Sequence, residues 1–293
     1  MRVAGFYIVY ALIWTFTLLP LRVLYVISDL MYQVVYHLIG YRKKVVFDNL
    51  RHAFPEKNQK EIMLIARRFY RHFCDFLLES IKTLNMSKKQ VDRRFRFENA
   101  EIFDEYFRQG RSIVLISGHY GNWEWMVDFP SKVPYKTLAI YKPLQDEKFD
   151  LLIRRIREKY ASGSRMIPMN DVYRRILEYE RKQQPIITWF LGDQTPPRDY
   201  PLWVSFMNRE TPFYSGPEKV ARKFGHVVIF MDIRKTDRGK YSTRFIPLED
   251  NPRQTKPNDI TRLHVQTLEE IIRRRPEFWL WSHRRWKHSR GNK

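Results

Sequence analysis

The stretch Ser117-Gly-His-Tyr-Gly-Asn-Trp-Glu124 places an imidazole, His119, five positions before a carboxylate, Glu124. On one continuous helix these side chains would lie about 140° apart in projection, so they can meet only if the chain turns between them. Gly118 and Gly121 permit a tight turn, and Asn122 is suited to cap a helix beginning near Trp123. The expected geometry has Glu124 folding back to accept the proton of one ring nitrogen while the other nitrogen acts as a base. An alcohol is a poor nucleophile until a neighbouring imidazole removes its proton, so the pair suits transfer of an acyl group to a hydroxyl. Neither a serine nor a cysteine stands out as nucleophile, so direct transfer is expected rather than a covalent acyl-enzyme. Backbone N–H groups of the turn at Gly121 and Asn122, or the cation Lys142, are the candidates to hold the oxyanion.

Spacing alone proves little. Eight histidines and 32 acidic residues give about one His-x4-acid match by chance, and the chain holds a second, His264 to Glu269. That one falls in a helix-like segment without a glycine turn and reads as an ordinary helix pair. Further polar candidates follow other strand-like runs. Asp193 and Gln194 after Pro185–Leu191 suit either the site or a turn through Asp-Gln-Thr-Pro. Arg165, after the Gly163-Ser164 turn, is either a phosphate ligand or one solvated arginine among many. In Trp279–Lys287 aromatic and basic residues alternate; packing is the first reading, with Arg285 on a phosphate-facing rim as the second. No metal site is expected.

The elements around these residues alternate. Ser112–Ser117, Thr137–Tyr141, Pro185–Leu191 and His226–Ile233 read as strands, with helix-like stretches Glu147–Tyr160, Val172–Gln183 and Gly216–Phe224 between them. Such alternation predicts an α/β fold with a mostly parallel central sheet flanked by helices. Tyr241–Leu248 is expected as an edge strand, and Asp259–Arg274 as a closing helix capped by Asn258 or Asp259. Ala100–Arg108 reads as a short helix, and residues 41–85 as a helical lead-in broken at Pro55. Residues 41–293 then form one catalytic domain. Residues 1–40 form an apolar membrane anchor, since Val3–Leu21 carries no charge and is long enough to span a bilayer, though an interfacial helix is the alternative.

With 53 Lys and Arg against 32 Asp and Glu, the formal charge is +21, which favours polyanionic partners. Tyr41-Arg-Lys-Lys44 after the anchor places the domain on the cytoplasmic side, against an anionic membrane surface. The single cysteine, Cys74, excludes an intramolecular disulfide framework and reads as a packed apolar residue. A nucleic-acid-binding protein would explain the charge but leave the anchor idle, so no nucleic acid is expected; a non-catalytic scaffold is a further alternative.

At these motifs the chain resembles the late lipid A biosynthesis acyltransferases of the lysophospholipid acyltransferase-like superfamily. The likeness rests on the apolar N-terminus, Gly118–Glu124, Tyr141-Lys-Pro143, Gly192-Asp-Gln194 and Trp279–Lys287. It implies an O-acyltransferase at the bacterial inner membrane, with His119 as base oriented by Glu124. The donor it implies is an acyl carrier protein thioester, with no cofactor. The implied acceptor is a hydroxyl of a lipid A precursor or related glycolipid; other anionic or amino-acid lipids are the alternative. Where the family commonly has arginine, this chain has Lys142, which keeps the charge but not the bidentate fork.

Overall fold

The computed structural model describes residues 3–160 and 164–288, so Gly163 of the expected turn lies outside the described residues. The chain opens with α1 (Val3–Phe16) and α2 (Leu21–Tyr32), continued by a π-helical turn, Gln33–Ile39. Next come α3 (Lys43–Ala53), the long α4 (Gln59–Lys82) and the short α5 (Lys88–Asp92). Pro55 separates α3 from α4, and Asn58 with Glu61 closes a capping box at the start of α4.

β1 (Phe95–Phe97), α6 (Glu101–Arg108) and β2 (Ile113–Ser117) lead to a 3-10 segment, Trp123–Ser131. The alternation continues with β3 (Lys136–Tyr141), α7 (Glu147–Arg157), β4 (Arg165–Pro168), α8 (Val172–Arg181) and β5 (Ile186–Leu191). A hairpin, β6 (Trp203–Phe206) and β7 (Arg209–Pro212), precedes α9 (Gly216–Phe224), β8 (Val227–Asp237), β9 (Lys240–Glu249) and α10 (Asp259–Arg274).

The described residues form a seven-stranded sheet in the order β1-β9-β8-β2-β5-β3-β4, with β6 and β7 paired separately. Every neighbouring pair in the large sheet is parallel except β8 with β9. The expected α/β fold is therefore present. Tyr241–Leu248 is not an edge strand, because β1 covers that side. Four strands were not expected from the sequence, β1, β4, β6 and β7, each three or four residues long and too short to show a period.

β2 lies at the centre, and all five of its residues are buried. That is why it reads as an unbroken apolar run: helices or loops cover a parallel sheet on both faces. The two faces carry separate cores. Val114, Ile116, Ile186 and Val228 join one, and Ile113, Leu115, Ile187 and Val227 the other. Truncating Leu115 to alanine at this centre would cost about 2–5 kcal/mol. The N-terminus of α10 is held by Glu218 of α9, whose carboxylate accepts the Thr261 N–H at 3.0 Å, and not by a side chain of Asn258 or Asp259.

The uncharged run Val3–Leu21 does not form one helix. α1 stops at Phe16 and α2 restarts after Pro20, whose ring cannot continue a helical hydrogen-bond ladder. At 14 residues α1 is roughly 21 Å long, short of a hydrocarbon core of about 30 Å. Among the described residues no single helix is long and apolar enough to cross a membrane; Gly5–Phe16 and Leu21–Ile39 pass together, bent by 116°. α2 is joined to the body: Ser28 donates to Asp75 at 2.8 Å, Tyr25 to Glu79 at 2.9 Å, and Arg238 bridges Asp29 and Asp75. Its outer side and that of α1 expose Tyr7, Ile8, Leu12, Val26 and Leu30.

Candidate active site

β2 and β5 are parallel neighbours with Ser117 opposite Leu191. Two residues beyond each strand end stand His119 and Asp193, which the register therefore brings together. His119 Nδ1 lies 2.5 Å from Asp193 Oδ1, and the His119 backbone N–H donates to Oδ2 at 2.8 Å. Trp279 Nε1–H donates to the same Oδ2 at 2.8 Å. The turn allows this because Gly118 has no side chain: a Cβ there would sit 3.2 Å from Asp193 Oδ2 and 2.7 Å from Leu268 Cδ1.

Burial alone would raise the Asp193 carboxyl, but the facing charge of His119 and hydrogen bonds from His119 and Trp279 hold it well below the usual carboxylate range. When the ring is neutral, the ionised Asp193 accepts the Nδ1 proton and the Nε2 lone pair is available. Gln194 Nε2 stands 3.4 Å from His119 Nε2, and the Trp123 ring meets the imidazole edge to face at 4.9 Å.

Glu124 is occupied elsewhere. Its carboxylate takes a bidentate pair from Arg157 of α7, Nε to Oε2 at 2.9 Å and Nη2 to Oε1 at 2.5 Å, and accepts Trp123 Nε1–H at 3.2 Å. The carboxylate hydrogen-bonded to His119 is therefore Asp193 and not Glu124, a correction to the expected pairing. The reason is local. Residues 123–131 form a 3-10 segment, and Asn122 caps it by accepting the Trp125 N–H at 3.2 Å, while a fork-shaped guanidinium matches a carboxylate better than one ring N–H does. Arg157 escaped the sequence reading because nothing separates it from Arg154 and Arg155 beside it.

His119, Glu124, Arg157, Lys142, Arg165 and Gln194 all line one cavity of about 560 Å³ that runs along β3 and the carboxyl end of β5. Its remaining wall is largely apolar, including Met126, Phe129, Ala139, Met166 and Trp189. Such a wall accepts a hydrocarbon chain, and ligands of parallel sheets gather at this end.

The family model described as bacterial lipid A biosynthesis acyltransferase matches residues 1–288. This chain belongs to that family. It is similar to the lipid A biosynthesis lauroyltransferase of Escherichia coli strain K12, 22% identical over 285 residues, covering 92% of this chain and 91% of that protein. The lipid A biosynthesis palmitoleoyltransferase of the same strain is 22% identical over 277 residues, 94% of this chain and 88% of the relative. A lipid A biosynthesis acyltransferase of Haemophilus influenzae is 21% identical over 241 residues, covering 80% and 72%. The protein is an acyltransferase.

Two residues expected at the substrate of this acyltransferase are spent on its fold instead. Asn122 is fully buried and donates its amide to Glu79 Oε2 at 2.8 Å. Glu79 also accepts from Tyr241 and Tyr25, so one buried carboxylate ties the turn after β2 to α2. Arg285 is fully buried, donates to the Pro212 carbonyl at 2.7 Å and lies 4.2 Å above the Phe213 ring, so it forms no phosphate-facing rim. Trp279 and Trp281 are buried with it, as the packing reading expects.

Gly121 has φ +64°, and its N–H is taken by the Phe278 carbonyl at 3.0 Å. With the His119 N–H bound to Asp193, neither amide is available to an oxyanion. Lys142 and Arg165 are exposed at the cavity rim. His264 of the second His-x4-acid match is buried in α10, while Glu269 accepts the Met207 N–H at 2.7 Å and pairs with Arg273, so the two form no dyad. Cys74 is buried in the core.

Proposed function

We propose that this acyltransferase moves a fatty acyl chain from an acyl carrier protein thioester to a hydroxyl of a lipid A precursor or related glycolipid, at the cytoplasmic face of the inner membrane. The supporting observation is that His119, held through Nδ1 by a buried carboxylate, lines a largely apolar cavity. His119 Nε2 takes the proton of the acceptor hydroxyl as that oxygen attacks the thioester carbonyl carbon. The tetrahedral oxyanion collapses, the C–S bond breaks, and the imidazolium returns the proton to the departing thiolate. Asp193 fixes the tautomer and offsets the imidazolium charge.

Glu124 holds Arg157 in the cavity wall, where its guanidinium adds positive potential beside the developing oxyanion. Lys142 at the rim is the second cation available to it. The exposed apolar sides of α1 and α2 seat the protein against the bilayer, and the basic surface favours both an acidic carrier protein and anionic head groups. The names of the relatives support the acceptor class.

The test is to incubate membranes bearing the wild-type chain with acyl carrier protein thioesters and a panel of acceptors, following products by mass spectrometry. The panel holds hydroxylated glycolipids and amino-acid lipids. Acylated glycolipid is the expected product. Acylation confined to amino-acid lipids would overturn the acceptor, and salt-dependent nucleic-acid binding without any acyl transfer would overturn the whole reading.

A further inference from the structure

The cavity at His119 is lined from both faces of the sheet. Ala139 lies opposite Trp189 on one side and Met166 on the other, and Trp189, Leu191 and Phe129 belong to the core of the first face. Ile140, Phe190, Val172 and Val220 line the same cavity but belong to the core of the opposite face. Side chains of consecutive strand residues point to opposite faces, so the cavity has two lobes that join beyond the ends of β3 and β5, where His119, Gly192 and Gln194 stand.

The lobes differ in character. The first runs back along β3 from Tyr141 to Thr137, roughly 13 Å at strand rise, and its inner end lies among the buried residues Phe129, Thr137 and Met166. It suits one straight chain. The second has Val172 and Val220 buried at its base and an open outer wall. Met169 and Tyr173 on its wall are 46% and 41% exposed, and the cations Lys142 and Arg165 are exposed at the rim of the same cavity.

We propose that the second lobe, walled by Val172, Met169, Tyr173, Phe190 and Val220, is a binding site for an acyl chain of the acceptor lipid. Donor and acceptor chains then approach from opposite faces of the sheet, and their reacting ends meet at His119. The proposal rests on the acyl-transfer reading above. A chain attached to a bulky anionic head group needs an open groove with cations at its rim, whereas a donor chain threaded from a thioester needs only a narrow blind one. The second lobe is continuous with the same base, since His119 lines the cavity that both lobes form.

The experiment measures acceptor and donor KM separately for Val172→Phe and Met169→Trp, with Ala139→Leu as the mirror variant in the first lobe. Acceptors carry either a full or a truncated acyl chain. Each methylene seated in the lobe contributes about fourfold to affinity, so obstructing several raises KM for the full-length acceptor at least tenfold. Donor KM stays within twofold, and the penalty shrinks with the truncated acceptor; Ala139→Leu shows the reverse pattern. A rise in donor KM for Val172→Phe and Met169→Trp, or an acceptor penalty independent of chain length, would overturn the subsite. If the wild-type chain transfers no acyl group, the underlying reading has failed. Acceptor binding in detergent micelles without donor then decides the subsite alone: weaker binding by both second-lobe variants supports it, and wild-type affinity overturns it.

Discussion

Asp193→Asn exposes the difference between a carboxylate that orients His119 and one that merely sits near it. The Asp193 oxygens receive three N–H donors: His119 Nδ1–H at Oδ1, and the His119 backbone and Trp279 indole at Oδ2. Asparagine has a single oxygen. Placing its amide nitrogen at the Oδ2 position would oppose two fixed donors, so the oxygen goes there and the NH₂ faces Nδ1. An NH₂ group facing Nδ1 favours the tautomer with the proton on Nε2, which can no longer accept one from the acceptor hydroxyl. The loss expected is roughly 10³-fold in kcat, about 4 kcal/mol of transition-state stabilisation, with both KM values nearly unchanged because the cavity wall is intact.

The assay is initial-rate acyl transfer from an acyl carrier protein thioester, followed by mass spectrometry. Arg285 complicates the stability comparison, since Asp193 is the anion acting on this buried cation. Asp193→Asn is therefore expected to lower Tm, and adding Arg285→Met to recover Tm without recovering kcat. Asp193→Asn turnover within threefold of wild type, beside a collapse in Glu124→Gln, would refute the reasoning and return the orienting role to Glu124.

Other perturbations separate the remaining parts of the account. Glu124→Gln and Arg157→Lys each break the bidentate pair and should lower kcat by about 10–100-fold. The double variant should be no worse than the poorer single one, since both act through the same contact; additive losses in a double-mutant cycle would show independent roles. Burial holds His264 down to about 4, below its unfolded value near 6.5. Its folded pKa is depressed, so the unfolded chain binds the extra proton between these values. Stability is full above about pH 6.5 and falls as pH drops towards 4, by about 3 kcal/mol from this residue. His264→Leu should flatten that part of a pH series of urea midpoints, and an unchanged slope would contradict it. Replacing Ile8 and Leu12 on α1 together by Asp should cut flotation with anionic vesicles at least tenfold while leaving the secondary structure of the domain unchanged by circular dichroism. Undiminished flotation would remove α1 from the membrane contact.

Much of the scaffold was legible because its strands are long, buried and apolar. β2, β5 and β8 show as continuous runs, and α9 and α10 match the expected bounds to the residue. β4 did not show, since four residues beginning with an arginine at a sheet edge carry no pattern. The break after Phe16 was signalled by Pro20, yet the absence of charge from Val3 to Leu21 still suggested one long helix.

At the site, His119 was legible from the glycine turn after a buried strand. Its partner was not, because a residue 74 positions away joins it only through the parallel register of β2 and β5. A signal for that partner does exist in the sequence. Ser117-Gly-His119 and Leu191-Gly-Asp193 end their strands alike, with a glycine and then an ionisable residue. Parallel pairing of the two runs would have matched them. Arg285 could not be placed by pattern, because its alternation with His283 assumes a strand, and that segment forms turns around a buried guanidinium.

The central claim is that the lone pair on His119 Nε2 deprotonates the acceptor hydroxyl. Single-turnover acyl transfer by His119→Ala, with saturating acyl carrier protein thioester and a hydroxylated glycolipid, tests it most directly. The account predicts a rate at least 10³-fold below wild type with donor binding retained. Transfer at the wild-type rate would contradict it.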